Sequence, residues 1–203
     1  MPAALQAALT RTVPKREEPW KGRKVVRIGP GEFTVNSDPE TVLMTVLGSC
    51  VTACICDPLA GVGGLNHFML PESPDGKWGR AAFSLRYGSF AMERLVNGIL
   101  SRGGRRERLE VKVFGGGRIG LDSCGIGDRN ALYVEGYLAA EGVTPLSREL
   151  RGNRARRVAY IPVMGHAFMS VLPNYPASFA AEEASFGRSL ARQPSSGDIE
   201  LFD

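Results

Sequence analysis

Cys50 follows a Gly48-Ser49 pair at the mouth of a β-prone run, and His67 lies seventeen residues further on in a second apolar run. A thiol attacks as its thiolate, and little of an unperturbed cysteine is ionised near neutral pH, so it needs a base or a positive neighbour. His67 can be that base. The turn-forming DPLAG, Asp57 to Gly61, lets the two runs fold back past each other and bring the pair together. The backbone N–H of Cys50 can face a developing oxyanion. Gly48, Ser49 and Asn66 are the residues expected around that oxyanion and the substrate. A third group usually orients the base; Thr45, Ser49 and Asn66 are candidates, and the local sequence does not choose among them. His166, the other histidine, sits far along the chain beside Gly165.

The bland alternative is that Cys50 is a buried thiol, since free cysteine packs as a small hydrophobe. Cys54, Cys56 and Cys124 fit that description. Cys54 and Cys56 fall on one face of a strand and cannot bridge without distortion. A zinc site from Cys50, Cys54, Cys56 and His67 has poor spacing, because C-x3-C-x-C in a strand is not the knuckle that structural zinc favours. No metal is expected.

These residues must be positioned by a chain of 203 residues, 43% hydrophobic and 23% charged, which suits one soluble domain with tails. No apolar run has the length of a membrane helix and the N-terminus lacks a secretory core, so no membrane insertion and a cytoplasmic location are expected. The net charge of +4 resides in residues 1–24, which hold six basic and two acidic groups; the rest balances at nineteen of each. Nucleic-acid binding needs a positive folded face, so the clusters Arg102–Arg108 and Arg148–Arg157 are read as solvated or partner-facing.

Residues 1–23 read as a mobile basic tail, 24–172 as a single domain, and 173–203 as a loosely attached tail with one short helix near Phe179 to Leu190. Within the domain, KVVRIGPGEFTVNS alternates around Pro30-Gly31 like a hairpin, and Thr41–Leu47 is a buried strand. Gly63 and Gly64 in the run that carries His67 mark a close backbone approach. Met92, Leu95, Val96 and Ile99 give Ser84–Ser101 a helical stripe, and Ala131, Val134, Tyr137 and Leu138 do the same for Asp128–Glu141. LEVKVFGGG is a strand ending in three glycines, Gly115 to Gly117, without the Lys-Ser/Thr of a phosphate loop, so the glycines serve close packing beside a site. Arg156–Leu172 supplies the last strands. The order is mixed α and β, not regular alternation.

LGSCVTACICDP, GGLNHFMLPE, RYGSFAMERLVNGIL, LEVKVFGGG and IGDRNALYVEGYLAAEGV, in this order and spacing, resemble the chemoreceptor glutamine deamidase family, CheD. The resemblance covers about residues 25 to 165. It implies an α+β fold, a layered α/β/β/α sandwich similar to toxin-type cysteine deamidases. It also implies a thiol hydrolase that converts glutamines of methyl-accepting chemotaxis receptors to glutamate through a thioester, with no cofactor. Cys50 takes the nucleophile's place and His67 the base's. The family's threonine, six residues before the cysteine, falls on Met44, with Thr45 next to it; Thr45 is carried as the third member. ELRGNRARRV, Glu149 to Val158, departs from the family's Asp-Leu-Gly-Gly-like turn. Two other readings stand beside this one: a receptor methylesterase using the same thiol, and a non-catalytic module that docks on a receptor or a CheC-type phosphatase.

Overall fold

The β-branched, apolar run TVLMTVL forms β3 (Thr41–Leu47), which is buried almost throughout, as expected of a strand covered on both faces. In this computed structural model, which describes residues 20–70, 78–119 and 125–192, β3 lies second in a four-stranded sheet. Its neighbours are β1 (Lys24–Arg27), parallel, and β8 (Arg156–Ile161), antiparallel; β9 (His166–Val171) completes the order β1-β3-β8-β9. A five-stranded sheet, β2-β5-β4-β6-β7, comprises β2 (Phe33–Asn36), β4 (Val51–Asp57), β5 (Val62–Asn66), β6 (Glu110–Gly115) and β7 (Ser147–Leu150).

The sheets meet face to face. Period-two alternation sends Leu43 and Leu47 of β3, Val158 and Tyr160 of β8, and Cys54, Cys56, Leu65 and Phe114 of the larger sheet into one layer between them. The alternate residues Val51, Ala53, Ile55, Val111 and Val113 face the other way, onto Met92, Leu95, Val96 and Ile99 of α1 (Trp78–Leu100) and Val134 and Leu138 of α2 (Ile126–Ala140). Fully burying each such side chain is worth about 1.5–3 kcal/mol. The α+β expectation is met, with layers running helix pair, larger sheet, smaller sheet. Trp20 closes part of the smaller sheet's outer side against Phe168, at 5.8 Å between ring centroids. The third described helix, α3 (Ala177–Arg192), lies across strand ends, touching Arg27, Gly31 and Gly48.

Two expectations change and a third is refined. The run around Pro30-Gly31 is not a hairpin: β1 joins the smaller sheet and β2 the larger, because Ile28 N–H bonds to Met44 and Gly31 N–H to His67, which makes the segment a corner between sheets. Beyond 173 the helix expected near Phe179 to Leu190 is present as α3, but it is not loosely attached, because its Leu190 and Glu183 are buried. Four arginines of the clusters read as solvated or partner-facing also pair within the chain, Arg106 with Glu141, Arg108 with Asp57, and both Arg148 and Arg151 with Glu135, while Arg106 and Arg148 stay largely in solvent. Cys124 lies outside the described residues.

Candidate active site

The turn Gly48-Ser49 joins β3 of one sheet to β4 of the other, so Cys50 stands at a crossing point between sheets, fully buried. Gly115, Gly116 and Gly117 hold that turn through the backbone: Gly116 N–H bonds to the Cys50 carbonyl at 2.8 Å and Gly117 N–H to that of Gly48 at 2.9 Å. Gly115 has φ +114°, and a β-carbon there would lie 2.2 Å from the Cys50 carbonyl oxygen. Only glycine allows that approach. Asn130 of α2 adds a clamp, donating to the Ser49 carbonyl at 2.9 Å while accepting from Leu70 N–H at 2.8 Å.

His67 follows β5 directly, and its backbone bonds both to Glu32 and to Gly31. The β4–β5 hairpin, paired through Cys54–Leu65 to Asp57–Val62, returns it to Cys50 as anticipated. Thr45 completes the line. Its hydroxyl lies 2.8 Å from the Ile28 carbonyl and 2.8 Å from His67 Nδ1. A carbonyl only accepts, so the single hydroxyl proton goes to Ile28, and Thr45 must accept from Nδ1–H. This places the lone pair of neutral His67 on Nε2, which is buried and has no hydrogen-bond partner among the described residues. Burial holds the His67 pKa below its ordinary value, which keeps the imidazole neutral with a lone pair free to accept a proton. A small cleft beside it is lined by Gly31, Tyr87, Phe90 and Arg94.

The threonine beside His67 is thus five residues before Cys50, not six. Met44 faces away, into the outer cluster with Trp20 and Phe168, because neighbours on a strand point to opposite sides.

Sequence reasoning did not single out Glu183. Its carboxylate, a Cys50 Sγ and a His67 ring nitrogen lie within 4.8 Å of one another. Glu183 Oε1 accepts from the N–H groups of Gly48 at 3.1 Å and Cys50 at 3.4 Å, and Oε2 accepts from Ser49 Oγ at 3.4 Å. The two backbone donors converge on one oxygen, which is the geometry of an oxyanion hole. Burial first, then the Glu183 charge and hydrogen bond, push the Cys50 thiol well above its ordinary pKa. One sulfur, one nitrogen and one oxygen also make a donor set that zinc accepts. Here, however, both carboxylate oxygens already take N–H and O–H donors, which is anion chemistry. The only advance signal for Glu183 was the amphipathic spacing Phe179, Glu183, Phe186, Leu190.

Asn66 and His166 stand apart from this chemistry. The Asn66 carboxamide accepts from Ala53 N–H at 2.8 Å and donates to the Ala91 carbonyl at 3.1 Å, tying β5 to β4 and α1. His166 is exposed on β9, whereas Cys50 is buried.

A family model described as CheD chemotactic sensory transduction matches residues 69–171, a span that begins just past His67. Curated relatives match over a longer stretch, 87–89% of the chain. A probable chemoreceptor glutamine deamidase CheD of Rhodopseudomonas palustris is 49% identical over 178 residues, 87% of this chain and 84% of that protein. One from Acidiphilium cryptum is 45% identical over 87% of this chain and 93% of its own, and one from Burkholderia vietnamiensis 43% over 89% and 75%. Identity of that order along most of both chains leaves one assignment, and the chain belongs to the CheD family.

Proposed function

We propose that this chain is a cysteine hydrolase that converts glutamine side chains of chemoreceptors to glutamate and releases ammonia. The observation that carries the reading is the buried line Thr45–His67, with a His67 ring nitrogen within 4.8 Å of Cys50 Sγ and an Nε2 that has no hydrogen-bond partner among the described residues; the relatives' names supply the substrate class. His67 Nε2 takes the proton from Cys50 Sγ, and the thiolate attacks the carboxamide carbon. The oxyanion faces the N–H groups of Gly48 and Cys50. Thr45 Oγ1 holds Nδ1–H and steadies the imidazolium, which then protonates the departing ammonia. His67 next deprotonates a water that attacks the thioester; the thiolate leaves, and the product is glutamate. No step needs a cofactor.

Cys50→Ala tests this directly. Incubated with a receptor fragment, the wild type should release ammonia and raise the mass of a receptor peptide by the difference between amide and acid, and the variant should do neither. Conversion at the wild-type rate by the variant would refute a Cys50 nucleophile. Methanol from a methylated fragment, in place of ammonia, would indicate the esterase.

The docking-module reading, with a CheC-type phosphatase as partner, draws on Phe90 of α1, which is 56% exposed. It requires a Cys50 thiol whose alkylation does not respond to His67→Ala, whereas the hydrolase reading requires a response. Both readings carry a cytoplasmic protein; no helix among the described residues is long and apolar enough to cross a membrane.

A further inference from the structure

Glutamate is the product of glutamine deamidation, and a glutamate side chain already stands beside the thiol. Glu183 projects from a helix, places one carboxylate oxygen on the Gly48 and Cys50 N–H pair, and brings its carboxylate within 4.8 Å of Cys50 Sγ. Room for it exists because residue 48 is glycine: a β-carbon there would lie 2.8 Å from Glu183 Oε2 and 2.9 Å from the Tyr175 ring. Gly187, one turn beyond Glu183, faces the body, and a β-carbon there would lie 3.0 Å from Met69 Cε, so the helix can come close enough for a side chain of this length to reach the donors.

The rest of the seat is equally specific. Glu182 pairs with Arg27, whose guanidinium also lies 4.4 Å from the centre of the Phe179 ring. Phe186 packs against Gly31 and the inter-sheet core, and Leu190 is 2% exposed. Phe179, Glu182, Glu183, Phe186 and Leu190 fall on one face at helical spacing.

Building on the function proposed above, we infer that α3 is an internal product mimic seated in the groove that receives the substrate. The segment recognised is then a helix that presents glutamine at the place of Glu183, with a small residue one turn on, where Gly187 stands, and a preceding side chain that can accept from Arg27. A glutamine there has the same reach as Glu183 and sets its carbonyl oxygen on the same two N–H groups. Substrate and α3 cannot share the seat, so α3 must leave for a receptor helix to enter. While seated, α3 also disfavours the Cys50 thiolate through the Glu183 charge.

Glu183→Gln in the full chain turns the mimic into a substrate. The introduced carboxamide should be hydrolysed by Cys50, with ammonia released and the glutamate mass restored at position 183, and it should persist in the Glu183→Gln, Cys50→Ala double variant. An amide that persists in a Glu183→Gln protein still able to deamidate a receptor fragment overturns the mimic. If neither amide is converted by any form of the chain, the hydrolase reading itself has failed. As a second readout, Phe186→Ala weakens the seat without touching the reacting groups. It should raise iodoacetamide labelling of Cys50 and receptor turnover by roughly threefold or more, measured on protein whose circular dichroism matches the wild type. Labelling and turnover both at or below the wild-type level overturn the proposal.

Discussion

On one side of Cys50, Thr45 and His67 stand on backbone that is hydrogen-bonded to neighbours on both sides: β3 lies between β1 and β8, and the hairpin carrying His67 between β2 and β6. On the other side, Glu183 stands on α3, which reaches the body through side chains, by Arg27–Glu182, Phe186 and Leu190. Free energies of local opening follow such differences, being lowest where few buried contacts and no shared ladder tie an element down. The pairing teaches a division of labour. In the proposed mechanism, the wall that supplies the base is built into the core, and the wall that blocks the thiol is detachable.

Breaking the fixed wall should therefore cost activity, whereas loosening the detachable one raises it. His67→Ala removes the proton acceptor, and turnover of a receptor fragment, followed as ammonia, should fall by about a thousandfold, within the range general bases contribute. A loss no larger than the change produced by Phe186→Ala would erase the distinction between the walls.

Thr45→Val sharpens the same point at smaller scale. It keeps the shape and removes the hydroxyl that accepts from Nδ1–H. The Ile28 carbonyl stands 3.5 Å from that nitrogen and can hold the tautomer imperfectly. Turnover should drop about tenfold, and Thr45→Ser, which restores the hydroxyl, should recover most of it. A valine variant at full rate would show that Ile28 alone orients the ring.

Much of the fixed wall is legible in the sequence because it is local. The β4–β5 hairpin has a turn signal between two apolar runs, and that spacing lets Cys50 and His67 meet. The glycines at 115–117 announce close packing, though not that their partner is the Cys50 carbonyl. Thr45 is ambiguous for a physical reason: a one-residue error in register exchanges the two faces of a strand, and only the bond to Ile28 fixes the face. Asn66 is expected near the substrate because it precedes His67, yet strand alternation turns its amide to Ala53 and α1. Glu183 is out of reach. It is 133 residues from Cys50, in a segment whose polar composition resembles a tail. An acidic side chain on an amphipathic helix is ordinarily solvated, and nothing in the spacing says that its helix closes over a thiol.

The fixed wall also depends on the far end of β4, where Asp57 is fully buried. Asp57 accepts from Arg108 at 2.5 and 2.9 Å and from Arg105 N–H at 2.9 Å, while its other oxygen takes the Leu59 and Ala60 N–H groups of the hairpin turn. Hydrogen bonding to Arg108 holds the carboxyl down at about 2, below its ordinary 3.8. A pKa depressed on folding stabilises the native state above the unfolded value, and that contribution fades as pH falls from 3.8 toward about 2. Asp57→Asn should remove this acid-sensitive contribution, lowering stability at neutral pH by roughly 3 kcal/mol and flattening its decline between pH 4 and pH 2. Urea unfolding at several pH values measures both. Receptor turnover at neutral pH should change least of all the variants, because Cys50 and His67 are held from the other end of the hairpin by Gly116, Asn130 and Gly31. A neutral-pH activity loss comparable to that of Thr45→Val would mean that the hairpin turn, not its root, sets the distance between thiol and base.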